Sequence, residues 1–121
     1  MSATTVLLCD DSRALRMVSR AMLEDAGFNV VAEAANGVEA LREFTAHKPD
    51  VVLLDLVMPE RDGKQALEDI LAADAGARVV ILSSLGAESD IEHCLRIGAK
   101  SYLQKPIEAD AMSRVLRQVV G

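Results

Sequence analysis

The stretch Val51–Pro59, VVLLDLVMP, constrains the fold of this chain more than any other. Its four leading apolar residues are too few for a helix, and a run rich in Val and Leu reads as a strand buried on both faces. The run ends in a carboxylate, Asp55, and the pair Met58-Pro59 blocks any continuation of the strand. A carboxylate at the end of a fully buried strand is unfavourable unless something there uses its charge. Aspartates in the loops after strands are common, so this stretch alone does not separate a site from a turn. The rest of the chain does.

Four further short runs each adjoin a helical pattern. Thr5–Cys9 (TVLLC) leads into Asp10-Asp11-Ser12, where Ser12 can cap a helix carrying Leu15, Val18 and Met22 at helical spacing and ending at Gly27. Phe28–Val31 reads as a second strand, and Asn36 with Glu39 makes a capping-box-like start for a helix over Val38, Leu41 and Phe44. After the central strand, the turn Arg61-Asp62-Gly63 precedes a helix with Ala66, Leu67, Ile70 and Leu71 on one face. Arg78–Leu82 (RVVIL) is a fourth strand that ends in Ser83-Ser84, and Glu88–Ile97 a helix with Ile91, Cys94 and Leu95 inward. Ser101–Gln104 is the fifth strand. Lys105-Pro106 follows, then a last helix over Glu108–Val119 with Met112, Val115, Leu116 and Val119 on one face.

Strands that are apolar throughout, alternating with helices, define an α/β domain with a parallel sheet covered on both sides. The chain, residues 1–121, reads as a single domain. Right-handed crossovers leave few topologies, and five strands suit the doubly wound order 2-1-3-4-5 flanked by five helices. With two Phe and one Tyr as the only aromatic residues, the core of such a sheet must be aliphatic. Met17, Met22 and Met112, at helical core spacing, read as part of it.

Acidic residues outnumber basic ones 19 to 13, for a formal net charge of −6. That balance argues against direct nucleic-acid binding, which rests on basic surface meeting phosphate. It suits a divalent cation or a basic partner. Cys9 and Cys94, one in a strand and one in a helix, read as buried free thiols. His47 and His93 read as surface histidines. No signal-peptide pattern opens the chain and no apolar run approaches membrane-spanning length, so a cytoplasmic location without membrane contact is expected.

In the order 2-1-3-4-5, the first and third strands are neighbours at the switch point, and ligands bind in the crevice outside the carboxyl ends of the strands. The residues just past those ends are Asp10, Asp11, Asp55, Ser83 and Lys105. Singly, each has an ordinary explanation. Asp10-Asp11 would favour the positive end of the first helix by roughly 0.5 kcal/mol. Ser83 would be a loop hydroxyl, and Lys105 a solvated cation before a turn proline. Jointly they crowd three like charges on one rim, and a hard divalent cation with oxygen ligands, Mg²⁺ in particular, answers that need.

The segments LLCDDS, LLDLVMPERDG, ILSSLG and IGAKSYLQKP, with the spacing between them, resemble the receiver domain of two-component response regulators, most closely its stand-alone chemotaxis members. The resemblance covers essentially the whole chain. As a set the segments are highly specific, although none suffices alone. The order 2-1-3-4-5 is also that family's order, so the topology is not an independent argument. The resemblance implies that Asp55 is the phosphoacceptor. It implies that Asp11, Asp55 and the backbone carbonyl of Val57 ligate Mg²⁺, with Asp10 acting mainly through water. Lys105 would pair with the phosphoryl oxygens, Ser83 would donate a hydrogen bond to one of them, Tyr102 would be the switch aromatic, and the Lys105-Pro106 bond would be cis. The phosphodonor would be a histidine kinase. A downstream target would dock on the face made by the fourth helix, fifth strand and fifth helix. The chain would act only upon itself, as a signalling switch rather than an enzyme with an outside substrate.

The chain departs from that pattern in places. Ser83 stands where threonine is commoner, Ser84 where alanine is frequent, and Val57 and Leu85 are apolar where many relatives are polar. None removes a required group, and the last pair bears on phosphoryl lifetime. Two rival readings fit less well. A haloacid-dehalogenase-type phosphatase needs its nucleophile and acid two residues apart after the first strand, and Asp10 and Asp11 are adjacent. A flavin binder of the same topology needs hydroxyls and amides there, where two carboxylates would repel its phosphate. A start at Met1 close to the first strand and a stop at Gly121 favour a free-standing receiver over one cut from a longer regulator with a DNA-binding or enzymatic output domain.

Overall fold

Each strand's pleat turns successive side chains to opposite faces, so a run of apolar residues must find cover on both. A computed structural model, which describes residues 3–121, shows how that cover is arranged. Met1 and Ser2, on which the expected absence of a leader partly rests, lie outside the described residues. The elements are β1 (Thr5–Cys9), α1 (Arg13–Asp25), β2 (Asn29–Ala34), α2 (Gly37–His47), β3 (Val51–Asp55), α3 (Gly63–Ala73), β4 (Val79–Ser83), α4 (Glu88–Ile97), β5 (Ser101–Gln104) and α5 (Ala109–Val120). All five strands are parallel, in the expected order β2-β1-β3-β4-β5.

Val6 and Leu8 of β1, Val51 and Leu53 of β3, and Val80 and Leu82 of β4 pack on Leu23 of α1 and on Met112 and Leu116 of α5. Their neighbours in sequence, Leu7, Cys9, Val52, Leu54, Val79 and Ile81, pack on Ala40 and Phe44 of α2, on Ala66, Leu67 and Ile70 of α3, and on Cys94 of α4. The three inner strands are therefore buried residue after residue. Both cysteines are free and buried. Among the described residues, no helix is long and apolar enough to cross a membrane.

Three helices start on side-chain caps, two of which the sequence announces. Ser12 accepts from Leu15 N, Asn36 from Glu39 N, and Asp62 forms a full capping box with Gln65. Glu39 returns its carboxylate to the amide of Ala35, one residue before the cap. At the opposite end of the sheet, Thr5 N donates to the Asp50 carboxylate while Asp50 N donates to the Thr5 hydroxyl. That exchange aligns the starts of β1 and β3.

The structure corrects several expectations. Leu15, Met17 and Val18 are 45%, 64% and 58% exposed rather than packed. Met17 and Val18 are turned round the helix from its covered face. The inward residues of that helix are Ser19 and Leu23. Val38 and Leu95 are also exposed, while Cys94 takes the inward position on α4. β2 extends to Ala34, beyond its apolar run, because its backbone pairs with β1 as far as Cys9. β5 is not apolar throughout: Leu103 is buried while Tyr102 and Gln104 are exposed, as an edge strand requires.

Gly63 opens α3 against the end of β3. A Cβ there would overlap the Asp55 carbonyl and press on Leu56 Cα, both backbone atoms that cannot swing aside. Gly63→Ala is expected to destabilise the fold by about 1–3 kcal/mol. Gly76→Ala, whose Cβ would meet only the Asp74 side chain at 3.4 Å, serves as the near-neutral control. Denaturant unfolding of both variants checks this, and equal midpoints would refute the close approach at Gly63.

Candidate functional site

Parallel pairing brings the strand ends to one rim, and the ladder fixes which residues meet there. Cys9 pairs with Leu54, Asp55 with Leu82, and Ser83 with Gln104. The ladder runs slightly past the strands: Asp10 N donates to Ala34 O at 3.0 Å, Leu56 N to Leu82 O at 3.1 Å, and Lys105 N to Ser83 O at 2.7 Å. The backbone at Asp10, Asp55, Ser83 and Lys105 is thus placed by the sheet itself. The Lys105-Pro106 bond is cis, as the resemblance implies.

Lys105 Nζ lies 2.7 Å from Asp55 Oδ2 and 3.0 Å from Asp10 Oδ2. The second oxygen of each carboxylate accepts from a backbone amide two residues on. Ser12 N donates to Asp10 Oδ1 at 2.9 Å, and Val57 N to Asp55 Oδ1 at 3.1 Å. Asp10 and Asp55 are buried while Asp11 is exposed, and one oxygen from each lies within 4.8 Å of the others. Ser83 is buried too, and its hydroxyl has no hydrogen-bond partner among the described residues.

Burial pushes the Asp55 carboxyl above its usual range, more than the Lys105 hydrogen bond and the Val57 amide pull it down. Burial by itself would depress the Lys105 ammonium. Its hydrogen bonds to Asp55 and Asp10 outweigh that and hold it above its ordinary range. Lys105 is therefore a fixed positive charge between two carboxylates. The crowding read from the sequence is met in part by this chain's own ammonium. What remains is an all-oxygen set of three carboxylates, which fits a hard divalent cation. Both thiols are pushed up by burial and are inert by comparison.

The other sequence candidates surround this group. Val57 and Leu85 sit on the loops after β3 and β4 with 74% and 82% of their surface exposed. Tyr102 on β5 pairs in register with Ile81 of β4 and is exposed, outside the rim group. One participant had not been singled out from the sequence. Arg16 Nη1 donates to the Asp10 carbonyl from the first turns of α1. Its sole sequence signal is a position four residues past the Ser12 cap, which puts it back over the strand end.

A doubly wound parallel sheet that gathers an aspartate pair, a third aspartate, a hydroxyl and a lysine at its carboxyl rim defines a receiver-type domain. A profile described as the response regulator receiver domain matches residues 6–117, and the chain belongs to that family. It is 37% identical over 119 residues to the chemotaxis protein CheY of Bacillus subtilis, covering 98% of this chain and 99% of that one. It is 41% identical over 118 residues to the CheY of Halobacterium salinarum, covering 94% and 98%. Among solved structures, a chain of the CheX–CheY–BeF3–Mg²⁺ complex from Borrelia burgdorferi superposes with a TM-score of 0.94 at 33% identity, covering 99% of this chain and 91% of that one.

Because its folded pKa is raised, ionised Asp55 is worse accommodated in the fold than in the unfolded chain. Asp55→Asn is expected to unfold at higher urea concentration than the parent near neutral pH in the presence of EDTA. As the pH falls through the raised pKa, the folded parent takes up a proton and the gap narrows. A lower midpoint for the Asn variant near neutrality would contradict this account.

Proposed function

We propose that this chain is a phosphorylation-activated signalling switch that accepts a phosphoryl group on Asp55 from a histidine kinase. The observation that carries the reading is the partly buried Lys105 ammonium shared by Asp55 and Asp10, with a buried Ser83 hydroxyl that has no partner among the described residues. An Asp55 oxygen attacks the donor's phosphorus in line, the donor's P–N bond breaks (P–O for a small acyl phosphate), and an acyl phosphate remains on Asp55. Lys105 then pairs with the phosphoryl oxygens and Ser83 donates to one of them. Asp11, Asp55 and the Val57 carbonyl would hold Mg²⁺, with Asp10 acting through water. That ion would supply further positive charge on the equatorial oxygens. No outside substrate is turned over, so the chemistry is confined to gaining and losing the chain's own phosphate.

The output follows from the same hydroxyl. When Ser83 turns to the phosphoryl group, Tyr102 can move, and the face of α4, β5 and α5 changes shape. Exposure of Tyr102 and Leu95 on that side supports it as the docking face for a downstream target. The relatives named as chemotaxis proteins, and the CheX complex of the Borrelia protein, support a free-standing chemotaxis role in the cytoplasm. The acidic surface gives direct nucleic-acid binding no support.

Asp55→Asn is expected to abolish labelling by acetyl phosphate, and Asp74→Asn to leave it unchanged. Intact-mass measurement checks both. An added phosphoryl group on the Asp55→Asn protein would refute the assignment.

Phosphoryl lifetime gives a second test. Hydrolysis needs a water in line with the Asp55–phosphorus bond, and the exposed apolar side chains of Val57 and Leu85 can exclude a water but not hydrogen-bond one. Slow self-dephosphorylation follows. Val57→Asn is expected to shorten the lifetime about fivefold, a barrier change on the order of 1 kcal/mol. The decay of phosphorylated protein after donor removal measures it, and equal rates in parent and variant would refute it.

A further inference from the structure

The Asp10–Asp11 segment must aim two carboxylates in different directions, one buried and one exposed. The buried one is held at every polar atom. Asp10 N is bonded to Ala34 O of β2, Oδ1 to Ser12 N, Oδ2 to Lys105 Nζ, and its carbonyl to Arg16 Nη1. Asp11 follows through a planar peptide, so the direction of the Asp10 carbonyl sets the position from which Asp11 reaches the cluster.

Arg16 is itself anchored. Its Nε is 3.0 Å from Glu33 Oε1, and Glu33 Oε2 is 2.7 Å from Arg20 Nη1. Both bonds help hold the Glu33 carboxyl below its ordinary range against the opposing effect of burial. Only 15% of the Arg16 side chain is exposed. A guanidinium that bridges a β2 carboxylate and the carbonyl at the end of β1 locks two strand ends and the first turn of α1 into one frame.

We infer that Arg16, anchored by Glu33, is a positioning residue that aims Asp11 at the metal-binding carboxylates. This rests on the reading that those carboxylates hold Mg²⁺. Charge and position predict opposite effects. Removing a cation near a dication site would by charge alone tighten Mg²⁺ binding. Loss of the frame loosens a ligand and weakens binding, by about tenfold where an outer partner orients a metal ligand.

The experiment titrates Mg²⁺ into unphosphorylated protein at fixed ionic strength, following backbone amide shifts at Asp11 and Val57. Parent, Arg16→Gln and Arg117→Ala are compared. Arg117 stacks 5.5 Å over the Phe28 ring and bonds Ala26 O, away from the rim, so its loss lowers stability without touching the site. The expected result is a Mg²⁺ dissociation constant about tenfold higher in Arg16→Gln and unchanged in Arg117→Ala. An unchanged or lower constant in Arg16→Gln overturns the inference while leaving the metal reading intact. A parent that does not bind Mg²⁺ overturns the metal reading and this inference with it. If Arg16→Gln does not fold, Arg16→Lys keeps the positive charge but loses the planar fork that bridges Glu33 and the Asp10 carbonyl. Weaker binding in that variant supports the inference, and parental binding overturns it.

Discussion

Two buried carboxylates from different strands, Asp10 and Asp55, share one ammonium, that of Lys105, and the arrangement of the rim follows from that sharing. Lys105 leaves the sheet at β5, two strands away from β3. At about 4.8 Å per strand its side chain must lie across β4 to reach Asp55. That path buries the methylene stem and would expel the charge if no acceptor waited at its end. The carboxylates in turn gain a charged partner that offsets part of the cost of their burial, Asp55 at 2.7 Å and Asp10 at 3.0 Å. Each group is tolerable only because the sheet order delivers the other.

Much of this was legible in the sequence because burial on both faces leaves a simple mark. β1, β3 and β4 read as unbroken apolar runs, and the polar residue that ends each run is a site residue or its neighbour. The order of strands then fixed the meeting of Asp10, Asp55, Ser83 and Lys105 with no further information. Helix faces were less legible. Leu15 and Val18 keep helical spacing with Met22, but periodicity says which residues share a face, not whether the sheet reaches far enough to cover it. The β5 strand misled for the related reason that an edge offers only one face to cover. Arg16 could not be found by pattern, because its task is to hold a backbone carbonyl, which carries no residue-specific signature.

The loop between Asp55 and α3 is fixed from both sides in a way that serves the same rim. Gly63 N donates to Leu56 O at 3.0 Å, closing the loop on itself, and Gly37 N donates to Arg61 O at 2.8 Å, fastening it to the start of α2. The Arg61 guanidinium is held by Asp69 on α3. Glu60 within the loop has φ +66°, a left-handed conformation that a side chain adopts only when its surroundings impose it. The consequence is local rigidity where the Val57 amide must meet Asp55 and where Val57 itself stands in solvent.

Charge balance explains why such a rim invites successive partners of opposite sign. Three carboxylates face one ammonium, so the group carries two negative charges in excess of balance. A divalent cation restores that balance, and once it is present the same rim can accept a phosphoryl group that carries negative charge to Lys105. The buried Ser83 hydroxyl fits that sequence of events. Left without an acceptor, a buried hydroxyl costs about 1–3 kcal/mol of desolvation. Under the proposed function, a phosphoryl oxygen would be an acceptor that arrives with phosphorylation. On the proposed function the Ser83 hydroxyl would gain its acceptor on phosphorylation, on the strand that pairs with β5, from which a change could pass toward Tyr102.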